Sequence, residues 1–244
     1  MPRRKLPKEM EVIEPGKILQ LWHKIEAFIE ENIRQVAAVG LIMVVIGGGI
    51  GLWQYKLAQA EEQSQTLFFS ALNRYNSPDR QAGKGEAPVV KEDAYRQALE
   101  EFKKVTQQYP DTGGGSAALF YAGACSYRLG KDDDALTCYQ NYLKTTGAID
   151  TYLRPFAYEG IGYVYERKGD YKKALEWFEK QDQDARGGLN IMAPLNRARC
   201  YAALGDHEHA CTSYQKFIDK YPSSAFAETA KIGVTEHCAN KKSK

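Results

Sequence analysis

Four stretches of this chain can be laid over one another, and that internal repetition limits the fold more than any other feature. YRQALEEFKKVTQQYP, GACSYRLGKDDDALTCYQNYL, GIGYVYERKGDYKKALEWFEK and ARCYAALGDHEHACTSYQKFIDKYP align on Ala98, Ala135, Ala174 and Ala210, at intervals of 37, 39 and 36 residues. Twelve residues before the alanine stand Gly123, Gly162 and Ala198, small enough for two helices to approach closely. Five before it stand Gly130, Gly169 and Gly205, where a tight turn can take positive φ. Four after it stand Phe102, Tyr139, Phe178 and Tyr214, large enough to fill the space between hairpins. Small and large residues alternating at fixed spacing are what a stack of helical hairpins needs to bury a continuous core.

The period and these positions resemble the tetratricopeptide repeat (TPR), a 34-residue helix–turn–helix unit. The sequence therefore predicts an all-α protein: a single transmembrane helix followed by a TPR α-solenoid. The first unit is irregular, its first helix falling over residues 62–75 and an inserted loop over 76–91. SSAFAETAKIGVTEHC reads as a lone helix capping the last hairpin. Residues 239–244 read as a frayed tail.

The predicted span is residues 36–53, VAAVGLIMVVIGGGIGLW, 18 residues without a charge and apolar on every face. Trp53 and Tyr55 sit together at its far end, as interfacial anchors do. Arg3, Arg4, Lys5, Lys8, Lys17, Lys24 and Arg34 precede it, whereas only Lys56 and Arg74 follow within twenty residues of Tyr55. That bias predicts a cytoplasmic N-terminus and an exported C-terminal part. Ala58-Gln59-Ala60 looks like a cleavage site, but a signal peptide starts with a short basic segment, not with about 35 residues carrying a helical period of their own. Uncleaved anchoring is expected. VVIGGGIG lacks the third glycine and the preceding short strand of a nucleotide loop. Gly47 and Gly51 have the spacing of a helix-pairing motif, although glycine is common in membrane helices generally. Ile18, Trp22, Ile25, Ile29 and Ile33 mark an amphipathic helix before the span, and residues 1–14 read as disordered.

The expected organisation is a cytoplasmic segment (1–35), a transmembrane helix (36–54), a helix and inserted loop (55–93), the TPR domain (94–238) and a tail (239–244). The 33 basic and 31 acidic residues leave a net charge of +2, too even for a nucleic-acid surface. His207 and His209, two apart on a predicted helix, point to nearly opposite faces, so no metal site is expected from that pair. No catalytic grouping and no cofactor motif stands out, and the expected role is protein binding. The first helix of each hairpin should line a groove with Phe120, Tyr127 and Arg128; Phe156, Glu159, Tyr163 and Arg167; and Met192, Leu195 and Arg199. Aromatics, Met and a few Arg suit an extended, partly apolar polypeptide. Cys200 and Cys211 flank one hairpin turn, as Cys125 and Cys138 flank an earlier one. Either pair is a disulfide candidate, and either can equally be buried small hydrophobes.

Residues 28–72, FIEENIRQVAAVGLIMVVIGGGIGLWQYKLAQAEEQSQTLFFSAL, and the layout around them resemble the ancillary subunit family of the bacterial Sec translocon. The resemblance implies an N-in inner-membrane anchor and a periplasmic TPR domain. It also implies association with translocon subunits and a membrane-anchored peptidyl-prolyl isomerase chaperone, in a role of passing secreted polypeptides onward. It carries no catalytic residues. The inserted loop and five cysteines depart from that pattern. The YP-terminated units also resemble periplasmic TPR proteins of outer-membrane assembly and the Tol-Pal system, which are usually lipoproteins or soluble. This chain shows no lipobox cysteine.

Overall fold

The computed structural model describes residues 15–77, 88–145, 152–184 and 191–238. The expected disorder of 1–14, the frayed tail and most of the inserted loop fall outside these residues. All regular structure among the described residues is helical.

The chain divides into two compact units, Met1–Leu57 and Ala58–Lys244. The first contains α1 (Pro15–Glu31) and the start of α2 (Ile33–Tyr75). Between them Asn32 turns its side-chain amide onto the Phe28 carbonyl at 3.0 Å, a local bond that competes with regular helix. Trp22, Ile25 and Ile29 of α1 are exposed, and so are Leu19, Leu21 and Phe28. An 18-residue window of α2 has a mean hydropathy of 2.2 and no buried residue. Leu41, Met43, Val44, Ile46, Leu52 and Trp53 all face outward.

The second unit begins with the rest of α2 and continues through α3 (Pro88–Gln108), α4 (Gly113–Arg128), α5 (Asp132–Lys144), α6 (Arg154–Arg167), α7 (Tyr171–Gln183), α8 (Ala193–Ala203), α9 (His207–Lys220) and α10 (Ala227–Cys238). From α3 onward each helix packs on its neighbours in sequence, and α4 also reaches α6. The helix after the inserted loop starts at Pro88, earlier than the expected loop end at 91, with proline tolerated where a helix begins.

Three turns share one construction. Gly130, Gly169 and Gly205 have φ of 72°, 76° and 75°. The next amide in each case bonds back across the helix end: Lys131 N–H to Ser126 C=O at 2.8 Å, Asp170 to Tyr165 at 2.9 Å, and Asp206 to Tyr201 at 2.9 Å. This closes the first helix of the hairpin. The same residue then opens the second. Asp170 and Asp206 accept from the amides of Lys173 and His209, while Asp132, Asp133 and Asp134 complement the dipole behind Lys131. One glycine and one cap thus reverse the chain.

Ala98, Ala135, Ala174 and Ala210 are fully buried, and Phe102, Tyr139, Phe178 and Tyr214 lie in the core. A Cβ on Gly123 would meet the Tyr139 ring at 2.8 Å, and one on Gly162 would meet Phe178 at 2.4 Å. In these two hairpins the ring of the second helix therefore sits directly on the small residue of the first. Gly233 of α10 receives Tyr214 in the same way, at 2.5 Å, so α10 covers the last hairpin. Phe68 and Ala71 of α2 join Leu99, Phe102 and Ala118 in a cluster that begins the array.

Candidate protein-interaction surface

The first helices α4, α6 and α8 carry a chain of side-chain contacts that crosses from repeat to repeat. In the first link, Arg128 lies over the rings of Tyr95 and Tyr75, at 5.1 and 5.7 Å, and its Nε donates to the Tyr75 hydroxyl at 3.2 Å. In the second, Arg167 lies 3.9 Å from the centre of the Tyr127 ring, donates to the Tyr127 carbonyl at 2.9 Å, and pairs with Asp132. Tyr127 stacks in turn on Tyr163, with 6.4 Å between centroids. In the third, Arg199 donates twice to Glu166, at 3.0 and 2.8 Å, and lies 5.8 Å from the Tyr163 ring. Each repeat thus offers an arginine to a tyrosine of the repeat before it.

Asn196 ties the last link together. It is fully buried. Its amide donates to Glu159 Oε1 at 2.9 Å, and its carbonyl oxygen accepts from Arg199 at 2.9 Å and Tyr163 at 3.3 Å. Tyr163 shares its one hydroxyl proton between that oxygen and Glu159 Oε1, the latter at 3.0 Å. Burial, reinforced by the Glu159 carboxylate, raises the pKa of the Tyr163 hydroxyl and keeps it a donor. Burial works against the Arg199 charge, but the hydrogen-bonded Glu166 outweighs it and the net pKa is raised. The surface offers half-buried tyrosine rings and, at Arg167 and Arg199, guanidinium groups already matched by carboxylates. It suits contact with polypeptide more than capture of a free anion.

Six of the ten predicted groove residues enter this chain of contacts: Tyr127, Arg128, Glu159, Tyr163, Arg167 and Arg199. Phe156 is half-buried on α6. The other three pack against the core, Leu195 fully and Phe120 and Met192 half-buried. Leu195 is 3% exposed and belongs to the Tyr214–Phe217 core, with Met192 packed against it. Phe120 packs against the rings of Tyr121, Tyr139 and Tyr142 at 5.1, 5.7 and 5.9 Å. Leu195 packs with Ala210, Tyr214 and Phe217 of α9, while Asn196 and Arg199 meet Glu159 and Glu166 of α6. Asn196, Glu166 and Asp132 are the residues sequence reasoning missed. A lone Asn among apolar core positions of APLNRARC was the available signal for the first. A hollow of about 240 Å³ lined by Leu67, Ser70, Glu101 and Lys104 includes none of these groups.

Of the two candidate pairs, neither Cys200–Cys211 nor Cys125–Cys138 forms a bridge. Cys211 is bonded to Cys238, with Cα atoms 5.2 Å apart, and Cys200 is free and buried. Cys200 faces back into the cluster of Ala174 and Phe178, whereas Cys211 faces forward onto α10. Cys125 and Cys138 are also free. Burial pushes the Cys125 and Cys200 thiols up to about 12, far from the range of a reactive thiolate. Among the described residues no three His, Cys, Asp or Glu side chains gather to hold a metal.

Two family models, each described as a tetratricopeptide repeat, match residues 127–187 and 195–224. No curated protein matches the chain in sequence. Among solved structures, a Podosopora anserina protein assigned as a kinesin light chain, with nearly identical TPR-like repeats, superposes with a TM-score of 0.53. It is 12% identical, over 70% of this chain and 87% of that one. YrrB, a TPR protein with an unusual peptide-binding site, is 14% identical over 71% of this chain and 79% of its own, with a TM-score of 0.48. A tetratricopeptide repeat protein from Parabacteroides merdae is 14% identical over 75% and 73%, with a TM-score of 0.47. At such identities the likeness is one of fold. Shared turn construction, the small-residue and ring pairs and the two repeat matches make the helical array a tetratricopeptide-repeat solenoid, a type of scaffold that serves protein–protein contact.

Proposed function

We propose that this chain is a single-pass inner-membrane protein whose TPR array binds other proteins on the periplasmic side and catalyses no reaction. In this reading it associates with the Sec translocon and with periplasmic chaperones, and meets secreted polypeptides as they emerge. The observation that carries the anchor is α2, where an 18-residue window of high hydropathy has no buried residue. So much exposed apolar surface is far beyond what water tolerates on a soluble domain. Arginine and lysine before the span and few after it favour an exported array. The Cys211–Cys238 bond fits an oxidising compartment. The translocon assignment rests on the likeness of residues 28–72, and the binding face on the tyrosine–arginine surface of α4, α6 and α8.

The test is site-specific photocrosslinking in native membranes, from Arg128 on the array and from Gly47 in the span. Adducts with translocon subunits or periplasmic chaperones are the expected result. Adducts confined to other envelope machinery would leave the array standing and move its role to outer-membrane assembly or a Tol-Pal-like system. Release of the chain by alkaline carbonate would sink the anchor itself.

A further inference from the structure

The two helices of the first unit are apolar in different ways. Within its 18-residue apolar window α2 is apolar on every side, whereas α1 is apolar along one side only. Leu21, Trp22, Ile25, Phe28 and Ile29 follow one another at helical spacings of three and four, and are 38–66% exposed. Gln20, Lys24, Ala27 and Glu31 run along the opposite side, with His23 and Glu30 beside them, all exposed. Glu26 stands at the margin, its carboxylate 3.5 Å from His23. A helix apolar all round can cross a bilayer. One apolar along a single side lies on the bilayer surface or against a partner.

We propose, on the single-span reading of α2, that α1 lies in the cytoplasmic headgroup layer of the same membrane, with its apolar side sunk to the acyl boundary. Three features select lipid over protein as the occupant of that side. The first is continuity. α1 ends at Glu31 and α2 begins at Ile33, so Asn32 alone separates the two helices. The uncharged stretch of α2 starts at Val36, which sets Arg34 and Gln35 among the headgroups and the end of α1 directly beside them. The helix is interrupted at Asn32, whose side-chain amide bonds to the Phe28 carbonyl at 3.0 Å, so α1 is free to leave the axis of α2. The second is the want of a cover within the chain. The span stands between α1 and the array in sequence, so the array is on the other side of the membrane and cannot shield this face. The third is composition. Trp22 and Phe28 sit among Leu and Ile, the mixture that favours the headgroup boundary. The opposite side sets Lys24 against Glu30 and Glu31, so apolar burial rather than attraction to anionic lipid holds the helix down. α1 thereby gives the span a second hold on one leaflet.

The test is tryptophan quenching in the purified full-length chain, reconstituted into vesicles of phosphatidylglycerol and phosphatidylcholine, the latter brominated high in its acyl chains. The tryptophans are Trp22, Trp53 and Trp177. Trp53→Phe/Trp177→Phe leaves Trp22 to report on α1, and Trp22→Phe/Trp177→Phe leaves Trp53 to report on the span. A third form replaces all three by Phe and carries Gln20→Trp, on the opposite side of α1. Bromolipid is expected to quench Trp22 and Trp53, and acrylamide in the water to quench the Gln20→Trp form several-fold more than Trp22. Trp53 quenched by bromolipid with Trp22 quenched by acrylamide alone would leave the face open for another protein and overturn the proposal, with the span intact. Trp22 reached by neither quencher would mean that a second copy covers it, which overturns the proposal too. Bromolipid quenching of neither Trp22 nor Trp53 would remove the anchor, and this inference with it.

Discussion

Gly162 and Asn196 show how narrowly single positions are set in this array. A methyl group on Gly162 meets the Phe178 ring at 2.4 Å. Phe178 is fully buried and has nowhere to retreat. Gly162→Ala is expected to cost about 1–3 kcal/mol by overpacking, with part recovered in Gly162→Ala/Phe178→Leu. Circular-dichroism melts of the four corners of this cycle check the coupling. Asn196 acts through hydrogen bonds. Asn196→Ala strips a donor from Glu159 and an acceptor from Arg199 in a buried place, with an expected loss of about 1–3 kcal/mol. Asn196→Asp should be worse, since it sets a second carboxylate against Glu159. Equal melting of the two variants would refute that ordering. Gly162 was legible in the sequence because close packing recurs at a fixed spacing. Asn196 was not, because its partners Glu159, Tyr163 and Arg199 meet only when α6 and α8 stack.

At the scale of the element, the hairpin turns were readable residue by residue, and the capping helix was readable as an element. Its fastening was not. Cysteine spacing suggested a bridge across the turn from Cys200 to Cys211, yet the two thiols leave their helices toward different neighbours. The partner of Cys211 is fixed by how α10 lies over α9, with Tyr214 seated on Gly233, and that is a tertiary fact. Closing this 27-residue separation stabilises the end of the array by about 3–4 kcal/mol in the chain-entropy account. Reduction, or Cys238→Ser, should therefore lower Tm and increase amide hydrogen exchange most strongly in α10. An exchange map in which α10 is unchanged by reductant would contradict this. The groove was legible in part for a related reason. Phe120, Glu159 and Leu195 share one repeat position, three residues before the small residue of each hairpin, yet Leu195 is buried where Phe120 and Glu159 are half-buried, a difference set by what packs against each helix.

Across the whole molecule, buried acids are spread over several repeats. Cys125 and Cys200 are held up to about 12 by burial, and burial also raises Tyr139 and Tyr163. These groups keep their protons in the fold at a pH where the unfolded chain has released them. Their contribution is intact below the unfolded thiol value, near pH 8.5–9, and is lost as pH rises toward 12. The expected loss is about 1.4 kcal/mol per pH unit for each thiol in that window. Denaturant titrations from pH 8 to 12 should show the decline, with a shallower slope in Cys125→Ala/Cys200→Ala. A flat profile in the parent chain would rule it out. The array has a further collective property. A linear stack in which each helix leans on its neighbours ordinarily unravels from its ends, one helix at a time. Because Cys238 is tied to Cys211, α10 cannot fully leave while α9 stays, and α9 in turn is packed on α8. The smallest fragment that can peel away from that end is therefore no longer a helix but most of a repeat, so fraying there has to begin with a large, costly step.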